Sequence, residues 1–177
     1  CRSYTWKHAL SRIAQQYQQF TFTPESSRQS AIKGFTTEEL EKAYGVYYIR
    51  LLRKNAVGVF EEGSKFQMGK IARLKEGTDV AIVASGIMVA EALKAAAALE
   101  EKGISAAVLN AFTWKPLDGE TLAEYAKKCG CIVTAENHNI IGGLGEAVCG
   151  VLSEKCPTPV KRIGVNDEFG HSGPAKD

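Results

Sequence analysis

The stretch Thr134–Gly145, TAENHNIIGGLG, decides how this chain is read. The apolar run Cys131–Ala135 leads into it, and a helix-forming run starts beyond it at Glu146, so it joins a buried strand to a helix. Gly142, Gly143 and Gly145 permit backbone conformations and close approaches that a side chain would forbid. Glu136 and His138 are read as a polar turn between strand and glycines. That puts them at the carboxyl edge of a sheet, where open α/β folds bind ligands or neighbours.

Working outward, the same alternation continues in both directions. Upstream, helix 120–128 is capped by Asp118 or Gly119 and ends at Gly130. Before it come the buried strand Ser105–Leu109, a loop anchored by Trp114 beside Pro116, and an alanine-rich helix 87–101 closed by Gly103. Asp79–Ala84, DVAIVA, is a continuous apolar run, as in a strand covered on both faces. Phe66–Leu74 is a further strand, linked to the next by Lys75-Glu76-Gly77. That link is too short for a crossover, so this strand is expected to run antiparallel, at an edge or beside it. Downstream, helix 145–155 stops before Pro157, Pro159–Val165 reads as a fourth central strand, and 166–173 is a loop. Strands alternating with helices indicate βαβ units, a mainly parallel sheet and helices on both faces.

Residues 1–45 are less regular. Trp6, Leu10, Ile13, Ala14 and Tyr17 fall at helical spacing over 5–19, a polar stretch with Pro24 and Gly34 follows, and a short helix opens at Thr37. Val46–Leu51 then reads as a strand leading to Arg53. Hydrophobic residues at 45% and charged residues at 24% exclude wholesale disorder. A net charge of +2 is too small to argue for a nucleic-acid groove or an anionic membrane. No run of about 18 apolar residues is present to span a bilayer, and the start has no signal-type apolar core. Five cysteines, an odd number without zinc spacing, are expected to be buried free thiols in a reducing, cytoplasmic setting. Both ends read as cut: the chain begins at Cys1 and stops just after a Gly-Pro turn.

Five blocks stand in a telling order: YIRLLRKN, FQMGKIARLKEGTDVAIVASG, NAFTWKPLD, TAENHNIIGGLGEAV and GVNDEFGHSG. Together they resemble the C-terminal portion of transketolase, most of all the separately encoded C-terminal subunit of split transketolases, over roughly residues 46–177. The resemblance implies a three-layer α/β/α domain with a five-stranded mixed, mostly parallel sheet. It implies three parts: 1–45, where the preceding pyrimidine-binding domain would end; 46–63, a linker strand and turn; and 64–177, the C-terminal domain without its last helix. The implied activity is that of a transferase of the pentose phosphate pathway, moving a two-carbon ketol unit between sugar phosphates. Thiamine diphosphate and a divalent metal, Mg or Ca, would serve the complete enzyme. In the family an N-terminal domain with a Gly-Asp-Gly motif holds them, and a middle domain supplies the activating glutamate; no Gly-Asp-Gly occurs in this chain. The expectation is therefore that this chain alone binds neither group and is inactive without those domains or that subunit, in a homo-oligomer of the complete enzyme. Two alternatives stay open: a related thiamine enzyme (2-oxoacid dehydrogenase β subunit or deoxyxylulose-phosphate synthase), and a non-catalytic assembly or ligand-sensing module.

The candidate residues divide by chemistry. For Arg53 the resemblance implies a grip on the substrate phosphate, a task suited to a permanently charged guanidinium fork, while the residues alone read equally as a solvated basic turn of Arg50, Arg53 and Lys54. Glu136 and His138 look like an acid–base pair, but a carboxylate there can instead bond the amides of the glycine turn, with His138 fixing the loop. Gly143-Leu144-Gly145 hints at a dinucleotide site, yet Val148 stands where a third small residue is wanted, and close helix–strand packing explains the glycines better. Asp167, Phe169 and His171 lie in a loop with Ser172; no nucleophile elbow accompanies them, so a structural role is expected, and the resemblance implies a contact near the domain junction. No residue is assigned to catalysis or to a metal.

Overall fold

The computed structural model describes residues 57–60, 64 and 66–170. The chain divides into two compact units, Cys1–Lys70 and Ile71–Asp177. In the first, the Phe60 and Phe66 rings meet edge to face with centroids 4.4 Å apart. The expected helix 5–19, the helix at Thr37, the strand Val46–Leu51 and Arg53 lie outside the described residues.

The second unit is built from β1 (Ala72–Lys75), β2 (Val80–Ala84), α1 (Met88–Glu100), β3 (Ala106–Asn110), α2 (Gly119–Cys129), β4 (Ile132–Asn139), α3 (Leu144–Lys155) and β5 (Val160–Val165). The strands form one five-stranded sheet in the order β1-β3-β2-β4-β5. The edge strand β1 is antiparallel to β3, and the other neighbours are parallel. Successive strand residues face opposite sides. Ala81, Val83, Ala107, Leu109 and Ile132 therefore meet Leu122, Tyr125, Leu144, Val148 and Leu152 of α2 and α3 in the main core. Ile82 and Val108 point the other way, where Val89, Ala92 and Ala96 of α1 are buried. Among the described residues no helix is long and apolar enough to cross a membrane.

Asp118 positions α2. Its Oδ1 accepts from the Thr121 amide (3.2 Å) and its Oδ2 from the Thr121 hydroxyl (2.8 Å) and the Ile71 amide (3.2 Å), so one carboxylate caps the helix and ties it to the chain entering β1. Gly130, at φ 73°, closes the far end with its amide on the Ala126 carbonyl.

The structure corrects four expectations. Strand β1 is shorter than Phe66–Leu74, because Gly69 at φ 74° and the Lys70 amide on the Gln67 carbonyl make a turn there. Strand β4 does not end at Ala135: it runs on through Glu136 and His138 to Asn139, with a register shift against β5 between Ala135 and Asn139. Strand β5 is an edge strand, not a central one, and leaves Ile163 and Val165 exposed. The four described cysteines are half-buried rather than buried.

Candidate functional site

The carboxyl end of β4, the turn 140–143 and the start of α3 form the site. Gly143 occupies the N-cap position of α3 and has no side chain to cap it. Glu136 caps the helix from the strand instead. Its Oε2 accepts from the Leu144 amide at 2.7 Å and its Oε1 from the Gly145 amide at 2.8 Å. The residue is 2% exposed. A buried carboxylate is tolerable here because two amides and the positive end of the helix dipole converge on it.

The glycines make this closeness feasible. A Cβ on Gly143 would lie 2.2 Å from Glu136 Oε2, and one on Gly145 would lie 2.7 Å from Thr134 Oγ1 and 2.8 Å from the Arg162 stem. Gly142 turns the chain at φ 70°, and its amide donates to Glu146 Oε2 at 2.8 Å.

Polar groups around the turn are also committed. Asn139 accepts from the Ile141 amide at 2.8 Å and donates from Nδ2 to Asp167 Oδ1 at 2.8 Å. Asp167 takes a left-handed φ of 56°, which short polar residues tolerate better than most. His138 Nδ1 lies 2.8 Å from the Asn139 carbonyl, so Nδ1 carries the hydrogen that bond requires. The imidazole also meets Trp114 edge to face, with centroids 5.8 Å apart. Trp114 in turn packs on the main core. Phe169 is 97% exposed, and His171 and Ser172 lie outside the described residues.

Glu136 and His138 are brought near each other, Oε2 to Nδ1 at 4.0 Å, but beyond hydrogen-bond reach. Both carboxylate oxygens are held by amides, so the pair is not arranged for proton exchange. Nor do these residues fit a diphosphate or dinucleotide: the helix amides that would cradle a phosphate already hold Glu136. Among the described residues no group of three or more His, Cys, Asp or Glu is gathered to hold a metal ion. Two shallow grooves, on Glu120–Lys128 of α2 and beside Cys149 and Pro157, share no residue with the turn.

Three contributors were not singled out from the sequence. Arg162 donates from Nη1 to the Ile140 carbonyl at 3.1 Å and packs its stem against Gly145. A Cβ on Gly164 would meet the His138 carbonyl at 2.8 Å, so β5 needs glycine beside the shifted register. Thr134 supports the underside of Gly145. The glycine inside a strand pattern was the available signal for Gly164; Arg162 and Thr134 offered none.

A subunit of 6-deoxy-6-sulfo-D-fructose transketolase, SqwH, from Clostridium sp. (strain MSTE9) is 53% identical over 129 residues, covering 73% of this chain and 40% of that protein. A 1-deoxy-D-xylulose-5-phosphate synthase from Geobacter sulfurreducens is 50% identical over 103 residues, 57% of this chain and 16% of that one. A solved split-gene transketolase, described as an inactive beta4 tetramer, superposes with a TM-score of 0.73 at 49% identity, over 76% of this chain and 45% of that one. This chain thus spans less than half the length of these relatives. Residues 69–177 match the family model described as transketolase, C-terminal domain, and the chain belongs to that family.

Proposed function

We propose that this chain is the non-reacting C-terminal part of a split transketolase-type enzyme in the cytoplasm, one that moves a two-carbon ketol unit between sugar phosphates. The observation that carries the reading is the filled helix start: the amides of Leu144 and Gly145, at the edge where α/β folds bind ligands, are occupied by the chain's own Glu136. A domain that spends its anion site on its own fold serves as scaffold and contact surface. Thiamine diphosphate and its Mg or Ca ion then belong to N-terminal and middle domains on a partner subunit, in a homo-oligomer of the whole. Arg53 contributes the substrate-phosphate contact in that assembly. The relative SqwH is named for a sulfonated sugar, so the sugar need not be a pentose phosphate.

Mixing the purified chain with a Gly-Asp-Gly-bearing subunit, thiamine diphosphate and magnesium tests this. The mixture should form one complex and convert a ketose phosphate plus an aldose phosphate, while each part alone is inactive. Turnover by the chain alone would overturn the proposal. Identity to a deoxyxylulose-phosphate synthase supports the second reading, and pyruvate as the preferred donor would select it.

A further inference from the structure

Cysteines 129 and 131 are not used by the site above. Cys129 is the last residue of α2, Gly130 turns the chain at φ 73°, and Cys131 directly precedes β4. The left-handed glycine brings both thiols to the same neighbour, the β1–β2 turn. Cys129 Sγ lies 3.7 Å from the Gly77 carbonyl, and Cys131 Sγ lies 3.4 Å from the Asp79 carbonyl. Neither thiol is sealed in the core, since both residues are half-buried. Two residues apart across a tight turn, their Cα atoms fall within the reach of a disulfide.

We propose that Cys129 and Cys131 form a dithiol that is reversibly oxidised to a Cys129–Cys131 disulfide by low-molecular-weight disulfides such as oxidised glutathione. The Cys131 thiolate, at the more open position, attacks one glutathione sulfur, forms a mixed disulfide and expels one glutathione thiolate. The Cys129 thiolate then attacks Cys131 Sγ and expels the second. Two protein thiols lose two protons and two electrons, and one glutathione disulfide becomes two glutathione thiols. Burial pushes the Cys129 thiol above its ordinary pKa, which suits it to the second, intramolecular step rather than the first. The turn survives the loss of both sulfur contacts because other bonds hold it. The Thr78 and Asp79 amides donate to the Ser105 carbonyl at 3.1 and 2.8 Å, and the Ser105 amide donates to Asp79 Oδ2 at 2.7 Å.

The test uses the natural chain. After treatment with oxidised glutathione, free thiols are blocked with one alkylating reagent, disulfides are reduced, and the released thiols take a second reagent. The second label is expected on both Cys129 and Cys131, with no glutathione retained on either. In a Cys129→Ser variant, glutathione should stay on Cys131 until a reductant is added. The proposal fails if Cys129 carries the first label while Cys131 keeps glutathione, if both carry the first label, or if either is joined to Cys1, Cys149 or Cys156. The labelling of the natural chain decides the matter even if the variant does not fold.

Discussion

Glu136 and Gly143 leave each other no room: a methyl group on Gly143 would lie 2.2 Å from the buried carboxylate and 2.4 Å from the Asn139 carbonyl. The carboxylate is fixed by two amides and the carbonyl is backbone, so neither can retreat cheaply. Gly143→Ala should destabilise the domain by about 2–3 kcal/mol, through overpacking and loss of the cap bonds. Gly150→Ala is the contrast. It sits within α3 with nothing within 4 Å of its Cβ position, so alanine should stabilise by about 0.5–1 kcal/mol. Urea denaturation of both variants checks the pair, and equal effects would mean the turn is not tight.

Glu136→Gln keeps the shape and removes an acceptor. One of the two amides would face an NH2 group, donor against donor, in a site without water access. A loss of about 2–3 kcal/mol is expected, as for an orphaned amide next to a lost charge-assisted bond. Hydrogen exchange localises the effect: the Leu144 and Gly145 amides should lose protection more than the amides of α1. Unchanged protection at those two positions would remove Glu136 from the role of cap.

Layers and helix limits were legible because their signals are local. The run VAIVA of Val80–Ala84 has no polar residue, as a strand buried on both faces requires, and Asp118 and Gly130 bracket α2 as cap residues do. The short Lys75-Glu76-Gly77 link was enough to make β1 antiparallel. The site was half legible. That a carboxylate could hold the glycine amides followed from residue types, but its place in β4 depends on a register shift against β5 that only packing around Gly164 reveals. Position in the sheet was not legible for β5. Val160, Ile163 and Val165 look like core residues in sequence, but whether a strand has one neighbour or two is a property of the whole topology.

Asp118 holds two elements with one side chain, so its removal should cost more than an ordinary cap. Asp118→Ala strips the cap from Thr121 and leaves the buried Ile71 amide without its acceptor, a combined loss of about 2–4 kcal/mol. Asp118→Asn retains one oxygen and should lose less. Denaturation midpoints that rank alanine and asparagine equally would contradict the shared role.

Tyr125 gives the fold an alkaline limit. Its ring is fully buried in the main core, and its hydroxyl donates to Glu76 Oε1 at 2.6 Å. Burial first, and the Glu76 hydrogen bond second, push the phenol from 10.0 up to about 12. Between those values the folded chain keeps a proton that the unfolded chain has released. Stability from this group is therefore complete below pH 10.0 and lost as pH rises through about 12. Glu76 works at the opposite end. The Lys128 hydrogen bond, followed by that of Tyr125, holds its carboxyl below the usual value, so its contribution is present above that value and fades in acid. Tyr125→Phe keeps the ring beneath the Arg73 and Lys128 cations but loses the hydroxyl. The variant should be about 1 kcal/mol less stable at neutral pH. Its midpoint should also fall less steeply than that of the natural chain between pH 10.0 and about 12. Parallel curves across that interval would show that the hydroxyl titrates as it does in the unfolded chain.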